Sequence, residues 1–212
     1  PYIIAEVAQG YAPIFNSKAS IEIAILLVRA AAKSGANAVK FQMIYADELA
    51  NSDYEYYKLF KELKFSKSEW KIIRNEATNY GIHFYVDIFG ERSLRTAKYI
   101  NADAIKIHST SFFNEDFVSR SLQINKPVFI SIGGIYPEEI SQFIEKHKLK
   151  QNPNVTLMYG FQSEPTLTKE NNLLRIKELA NLTGLEIGFM DHADASKEDK
   201  VNISILALAM GI

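Results

Sequence analysis

The sequence predicts an α/β fold, a (βα)8 TIM barrel, on three observations. Seven short apolar runs each end in a polar or charged residue suited to chemistry. A helical pattern follows every run, and the polar ends are spread over all seven instead of clustering at one point. A strand buried on both faces reads as a continuous apolar run, and strand–helix alternation argues for a parallel sheet. When such a sheet closes into a barrel, reactive groups gather at the C-terminal ends of its strands.

Each element has its own signal. Tyr2 to Ala5 leads into Glu6, and Ser20 to Lys33 then carries Ile21, Ile23, Ala24, Leu27 and Ala31 at helical spacing. Gly35 stands where a helix C-cap is expected. Ala38 and Val39 lead into Lys40, Phe41 and Gln42. The segment 43–65, rich in Tyr and charge, is long for a connection and reads as a lid or substrate loop. Ser66 with Glu69 three residues on is a capping box, which opens a helix running to about Tyr80. His83 to Val86 leads into Asp87, and Ala104-Ile105 into Lys106, Ile107, His108 and Ser109. Val128 to Ile130 leads into Ser131, Val155 to Tyr159 into Gly160-Phe161-Gln162, and Ile187 to Met190 into Asp191-His192. Further helices are expected at about 91–99, 115–124, 137–148, 168–182 and 197–210. Pro127, Pro137 and Pro153 fall at element starts or in connections, where proline is tolerated.

Seven units suit an open doubly wound sheet as an alternative. However, no Gly-x-Gly-x-x-Gly follows any strand, and no switch point collects the polar ends. A barrel lacking its eighth strand fits better. We expect one domain over residues 1–212, incomplete at its C-terminus: the chain starts at Pro1 without Met and stops inside an apolar pattern.

Composition narrows the function classes. The 212 residues include 13 Phe and 11 Tyr, enough apolar matter for a sizeable core. A formal net charge of −1 argues against nucleic acid or an anionic membrane as the main partner. With no Cys, thiol nucleophiles, disulfides and thiolate metal sites are excluded within this stretch, which fits a cytoplasmic protein. No apolar run approaches the length of a membrane span.

Lys40 ends one strand with Gln42 facing the same side, and Lys106 ends another before His108 and Ser109. Ser131 with Gly133 and Gly134 ends the next. A single strand-end lysine is usually a solvated surface group. Two lysines with hydroxyls and glycine amides on one rim instead suggest a phosphate or carboxylate cradle. Glu6 sits inside an apolar strand, where an unpaired carboxylate is costly; it could be a general base, a metal-shell group, or the partner of Lys40 or Lys106. His192 after Asp191 could be a metal ligand, although one His is too few to hold a divalent ion. Glu145-Lys146-His147 lies in an amphipathic helix and reads as a solvated face, and His83 starts a strand at its unreactive end.

Several stretches resemble the sialic acid synthase (N-acetylneuraminate synthase) family. They are Ile3-Ile4-Ala5-Glu6-Val7, Gly35 to Gln42 with its Ala-Val-Lys-Phe-Gln, and Ala104 to Ser109. Lys126 to Gly134 and Gly188-Phe189-Met190-Asp191-His192 complete the set, and Gly-Phe-Gln-Ser-x-Pro-Thr at 160–166 looks like a divergent branch. The resemblance implies a TIM barrel that condenses phosphoenolpyruvate with an N-acetylmannosamine-like amino sugar, giving a nonulosonic acid and phosphate. It also implies a transferase that uses Mn²⁺, or Mg²⁺ or Co²⁺, and that works as a homodimer. Carried over by position, Lys40, Lys106, Ser109, Ser131 and Gly133 would hold phosphoenolpyruvate. Gln42, Gln162 and Glu164 would face the sugar, and Glu6 would lie beside sugar and metal. Glu6, Lys40, Lys106 and His192 form the catalytic set, with His192 one of two metal ligands. The second His, the eighth strand and the C-terminal antifreeze-like domain are expected beyond this chain.

Some positions depart from the family pattern. Ser111 stands in place of an acid thought to handle the attacking water, and Asp87 in place of a small hydroxyl residue near the phosphate. Gln162 replaces an Asn and Glu164 a Tyr; His108 and Met190 replace small residues. The alternatives are another phosphoenolpyruvate–aldose condensing synthase, or a degenerate sugar- or phosphate-binding barrel.

Overall fold

Every predicted strand forms in the computed structural model, which describes residues 1–12, 18–161, 163–197 and 199–212. The strands are β1 (Ile4–Ala8), β2 (Ala38–Gln42), β3 (His83–Ile88), β4 (Ala104–Ile107), β5 (Val128–Ser131), β6 (Val155–Tyr159) and β7 (Glu186–Phe189). The helices are α1 (Ile21–Lys33), α2 (Ala46–Leu49), α3 (Tyr57–Glu62), α4 (Lys67–Asn79), α5 (Glu91–Tyr99), α6 (Glu115–Leu122), α7 (Pro137–Lys146), α8 (Leu174–Thr183) and α9 (Asp199–Ala209). The chain divides into two compact units, Tyr2–Lys126 and Pro127–Ile212.

In the first unit, β1 to β4 pair in sequence order and in parallel. Side chains alternate across a sheet, so the register sorts the residues into two faces. Val39, Phe41, Phe84, Val86, Ile105 and Ile107 lie on one face and are fully buried. Helices α1 and α4 pack on each other and on this side of β2 and β3. Trp70 on α4 meets Phe41 and Phe65 edge-on, at centroid separations of 6.0 and 5.0 Å, and Tyr11 packs against the same group. Such aromatic burial is a large apolar contribution, about 1.5–3 kcal/mol for each side chain taken from water. The opposite face carries Glu6, Lys40, Tyr85, Gln42, Asp87 and Lys106.

Local signals hold where they were strongest. Ser66 accepts from the Glu69 N–H at 3.2 Å while Glu69 accepts from the Ser66 N–H at 2.7 Å, so the capping box closes at both ends. Ser20 caps α1 by accepting from Ile23. The expected loop at 43–65 is partly helical, folding into α2 and α3.

In the second unit, β5, β6 and β7 are again parallel and consecutive. Helix α8 packs on β7 and α7 packs on α8. Ile140, Phe143 and Ile144 are the buried side of α7, and Glu145 and Lys146 are exposed, as amphipathic spacing requires. Close approach explains two glycines here. A Cβ at Gly188 would lie 2.6 Å from Met158 Sδ, and one at Gly160 would lie 2.5 Å from the Met190 carbonyl.

Two boundaries differ from expectation. The run 168–182 is not one helix: a 3₁₀ turn covers Thr168–Glu170 and α8 begins only at Leu174. Strand β1 starts at Ile4 and continues to Ala8, so Glu6 is central in the strand instead of at its end. The strand bulges between Glu6 and Ala8, where Ala8 adopts φ 49°. The Ala8 N–H donates to Glu6 Oε1 at 2.8 Å, so the carboxylate supports the bulge beside it.

Candidate active site

The polar face of the first sheet is built by register. Glu6 on β1 pairs with Lys40 on β2, and Gln42 pairs with Asp87 on β3, which pairs with Lys106 on β4. Lys40 and Asp87 are one step apart along neighbouring strands and share the face. Residues far apart in sequence thus form one charge network. Lys40 Nζ donates to both Asp87 carboxylate oxygens at 2.8 Å and also contacts Glu6. Lys106 Nζ donates to Asp87 Oδ2 at 3.3 Å.

Burial makes these contacts strong. Lys40, Asp87 and Lys106 are 5%, 1% and 6% exposed, so water does little screening. Desolvation alone would raise the Asp87 carboxyl, but Lys106 and Lys40 outweigh it and hold the group below the usual carboxylate range. For Lys40, burial pushes down, while Asp87 and Glu6 together hold the ammonium above the ordinary lysine value. Lys106 goes the other way. Burial is the largest influence, repulsion from Lys40 adds to it, and Asp87 does not fully compensate, so its value lies below that of an ordinary lysine. The two lysines are therefore unequal: one is locked as a cation by two carboxylates, and the other is held more loosely.

Supporting groups surround the network. Gln42 Oε1 accepts from Gln9 Nε2 at 2.8 Å, and the buried Tyr11 hydroxyl donates to the Gln42 carbonyl at 3.1 Å. Ser109 opens a 3₁₀ turn, Ser109–Ser111, directly after β4. Ser111 is buried and donates to the Phe89 carbonyl at 3.4 Å. The His108 Nδ1 accepts from the Thr110 N–H at 3.3 Å, and the imidazole ring lies 5.6 Å from the Phe89 ring. Glu48 on α2 accepts from the Arg92 and Ser93 N–H groups at the start of α5, which ties the segment after β2 to the segment after β3. The same segment borders an open surface depression of about 660 Å³ lined by Asn51, Asp53, Tyr54 and Phe60 among others. Toward the opposite end of β3, His83, Tyr85 and Tyr2 stack, with Tyr85 donating to the Tyr2 hydroxyl at 2.8 Å.

In the second unit, Ser131 closes β5, is 1% exposed, and its Oγ has no hydrogen-bond partner among the described residues. Gly133 is buried in the turn that follows, and Glu164 is exposed. His192 follows β7; its carbonyl accepts from the Thr166 N–H at 2.8 Å, while its buried Nδ1 has no partner among the described residues. Gln162 lies outside the described residues. Asp191, beside His192, is engaged elsewhere, accepting from Ala193 and Ser204.

Among the described residues no group of three or more His, Asp or Glu is placed to hold an ion. His192 offers one unengaged nitrogen, which suits a single ligand but not a site.

The sequence places Lys40 and Lys106 on one rim, offers Glu6 as a possible partner of either, and marks Asp87 as a strand end that departs from the family pattern. It does not show that Asp87 is the hub joining both lysines. The alternation Tyr85-Val86-Asp87 places Asp87 on the polar face, but which lysines it meets is set by strand register. The roles of Gln9, Tyr11 and Glu48 had no such signal.

A family model described as the NeuB family matches residues 27–212. A pseudaminic acid synthase of Campylobacter jejuni is 30% identical over 207 residues, 91% of this chain and 58% of that protein. An N,N'-diacetyllegionaminic acid synthase of Legionella pneumophila is 26% identical, covering 100% of this chain and 61% of that protein. The chain thus spans about three fifths of the length of these relatives. A crystal structure of N-acetylneuraminic acid (sialic acid) synthetase from Leptospira borgpetersenii, in complex with citrate, superposes with TM-score 0.87 at 26% identity. It covers 99% of this chain and 70% of that one.

Proposed function

The chain belongs to the NeuB family, and from that premise we propose that the protein condenses phosphoenolpyruvate with an N-acetylmannosamine-like amino sugar. The products would be a nonulosonic, sialic-type acid and phosphate. The observation that carries the reading is the pair of buried ammonium groups, Lys40 and Lys106, on one face of a parallel sheet. Buried charges are costly, and a fold retains them where they meet an anion.

Carbon 3 of the enol attacks the aldehyde carbon of the sugar, forming the new C–C bond. Water adds at carbon 2, and phosphate leaves with cleavage of its bond to that carbon. Lys106 and Lys40 bind the phosphate and carboxylate oxygens, with Ser109 as a neutral donor, and the family resemblance alone assigns Ser131 and the Gly133 amide to the same ligand. The unengaged Ser131 hydroxyl supports this role, since a buried hydroxyl without a partner is ready to donate to a ligand. Gln42, positioned by Gln9 and Tyr11, and Glu164 face the sugar, with Gln162 assigned by sequence alone. Glu6 orients Lys40. His192 would be one ligand for a divalent cation such as Mn²⁺, which would polarise the aldehyde.

The test is phosphate release by the intact protein supplied with phosphoenolpyruvate, Mn²⁺ and a panel of acetamido and diacetamido hexoses. We expect sugar-dependent release that falls at least 100-fold on Lys106→Ala, a loss of about 2.7 kcal/mol or more in transition-state stabilisation. Chelation checks the cation, and sedimentation of the intact protein checks the homodimer. Ligand binding without release for any sugar would overturn the condensing reading in favour of a binding protein.

A further inference from the structure

We infer that Asp87 is an affinity- and specificity-determining residue: it already occupies the lysine cradle, so an incoming anion must displace a carboxylate of the protein itself. This inference rests on the reading of the lysine pair as the anion site.

The donors decide the matter. An ammonium has three N–H donors. Lys40 faces three acceptor oxygens, Oδ1 and Oδ2 of Asp87 and Oε2 of Glu6, so its donors are all engaged. Lys106 spends one donor on Asp87 Oδ2, at the longer distance of 3.3 Å. Among the described residues the lysine with donors left for a ligand is therefore Lys106, and Lys40 becomes available only when a carboxylate lets go. The charges agree with the donor count. Lys40 and Lys106 carry +2 and Glu6 and Asp87 carry −2, so the cradle is neutral before any ligand arrives. A doubly charged phosphate would then face Asp87 at close range in a poorly screened interior, where like charges repel strongly. A singly charged carboxylate meets half of that repulsion.

A hydroxyl at position 87 would reverse the balance. Both lysines would be free to donate, the cradle would carry net positive charge, and the hydroxyl could itself donate to phosphate. The ligand-free fold would lose the carboxylate that compensates two buried cations, and a bound anion would replace it.

Calorimetric binding of inorganic phosphate, phosphoenolpyruvate and pyruvate to the intact protein tests this in the wild type, Asp87→Ser, and the near-isosteric Asp87→Asn. Thermal unfolding is followed with and without phosphate, and circular dichroism checks that each variant folds. We expect phosphate to bind both variants roughly tenfold or more tightly than the wild type. The gain for singly charged pyruvate should be smaller, and phosphate should raise the melting temperature of the variants more than that of the wild type. A structural role alone would not produce that difference between the two anions. Equal or weaker phosphate binding by folded variants overturns the inference. It leaves the condensing reading standing if wild-type phosphoenolpyruvate binding is lost on Lys106→Ala. Absence of anion binding by all three proteins overturns both.

Discussion

The two units of the chain hold their candidate site groups in opposite ways. In Tyr2–Lys126 the buried charges satisfy one another: Lys40, Asp87 and Lys106 form a closed network, with Glu6 at its exposed margin. In Pro127–Ile212 the groups of interest are left unengaged among the described residues, namely the Ser131 hydroxyl and one nitrogen of His192. A self-satisfied network stabilises the fold and resists a ligand, whereas an unengaged donor costs stability and waits for one. Reading both as site residues because they end strands would miss that difference.

The largest expected effect comes from opening the network. Lys40→Ala leaves Asp87 buried without its bidentate partner, and unfolding free energy measured in urea should fall by about 3–5 kcal/mol. If Ser131→Ala cost the protein as much, the contrast between the units would collapse. Acid should sharpen the same contrast. The Asp87 carboxyl is held below its usual range, so the folded state binds fewer protons than the unfolded chain there. Its stabilising contribution is thus present above about pH 4 and is lost as pH falls through the folded value. A stability–pH profile should lose that segment in Asp87→Asn and keep it in Ser131→Ala.

Smaller effects follow. Ser66→Ala removes a capping box closed at both ends and should cost about 1 kcal/mol, read from the denaturation midpoint. Ser131→Ala is the smallest for stability, within about 1 kcal/mol of the wild type, because no protein hydrogen bond is lost. Calorimetry should nevertheless show weaker phosphoenolpyruvate binding in that variant, which separates a ligand donor from a structural one.

Much of the site was legible because strand periodicity is a local property. The alternation in Ala38-Val39-Lys40-Phe41-Gln42 places Lys40 and Gln42 on one face and Val39 and Phe41 on the other before any pairing is known. The lysines were recognised for this reason. The role of Asp87 was not, because it depends on Asp87 pairing with Lys106 on one side and lying diagonal to Lys40 on the other. No local pattern carries that information. The bulge after Glu6 escaped for the same reason: it is a mismatch between two strands, and nothing in Glu6-Val7-Ala8 alone marks it. The start of α8 was misplaced: Thr168 to Asn172 carries no apolar residue to hold a helix against the core, and the backbone forms only a 3₁₀ turn at Thr168–Glu170.

The sequence by itself determined the alternation of strands and helices, the capping of α1 and α4, and which side chains share a face of a strand. These follow from backbone sterics and from burying apolar groups at periods of two and 3.6 residues. The tertiary structure alone decided which charges meet. Register brings position 87 to positions 40 and 106, and burial then turns an ordinary aspartate and two ordinary lysines into one coupled group. Coulomb interactions matter at a few ångströms and in the absence of water, and both conditions exist only once the strands have paired.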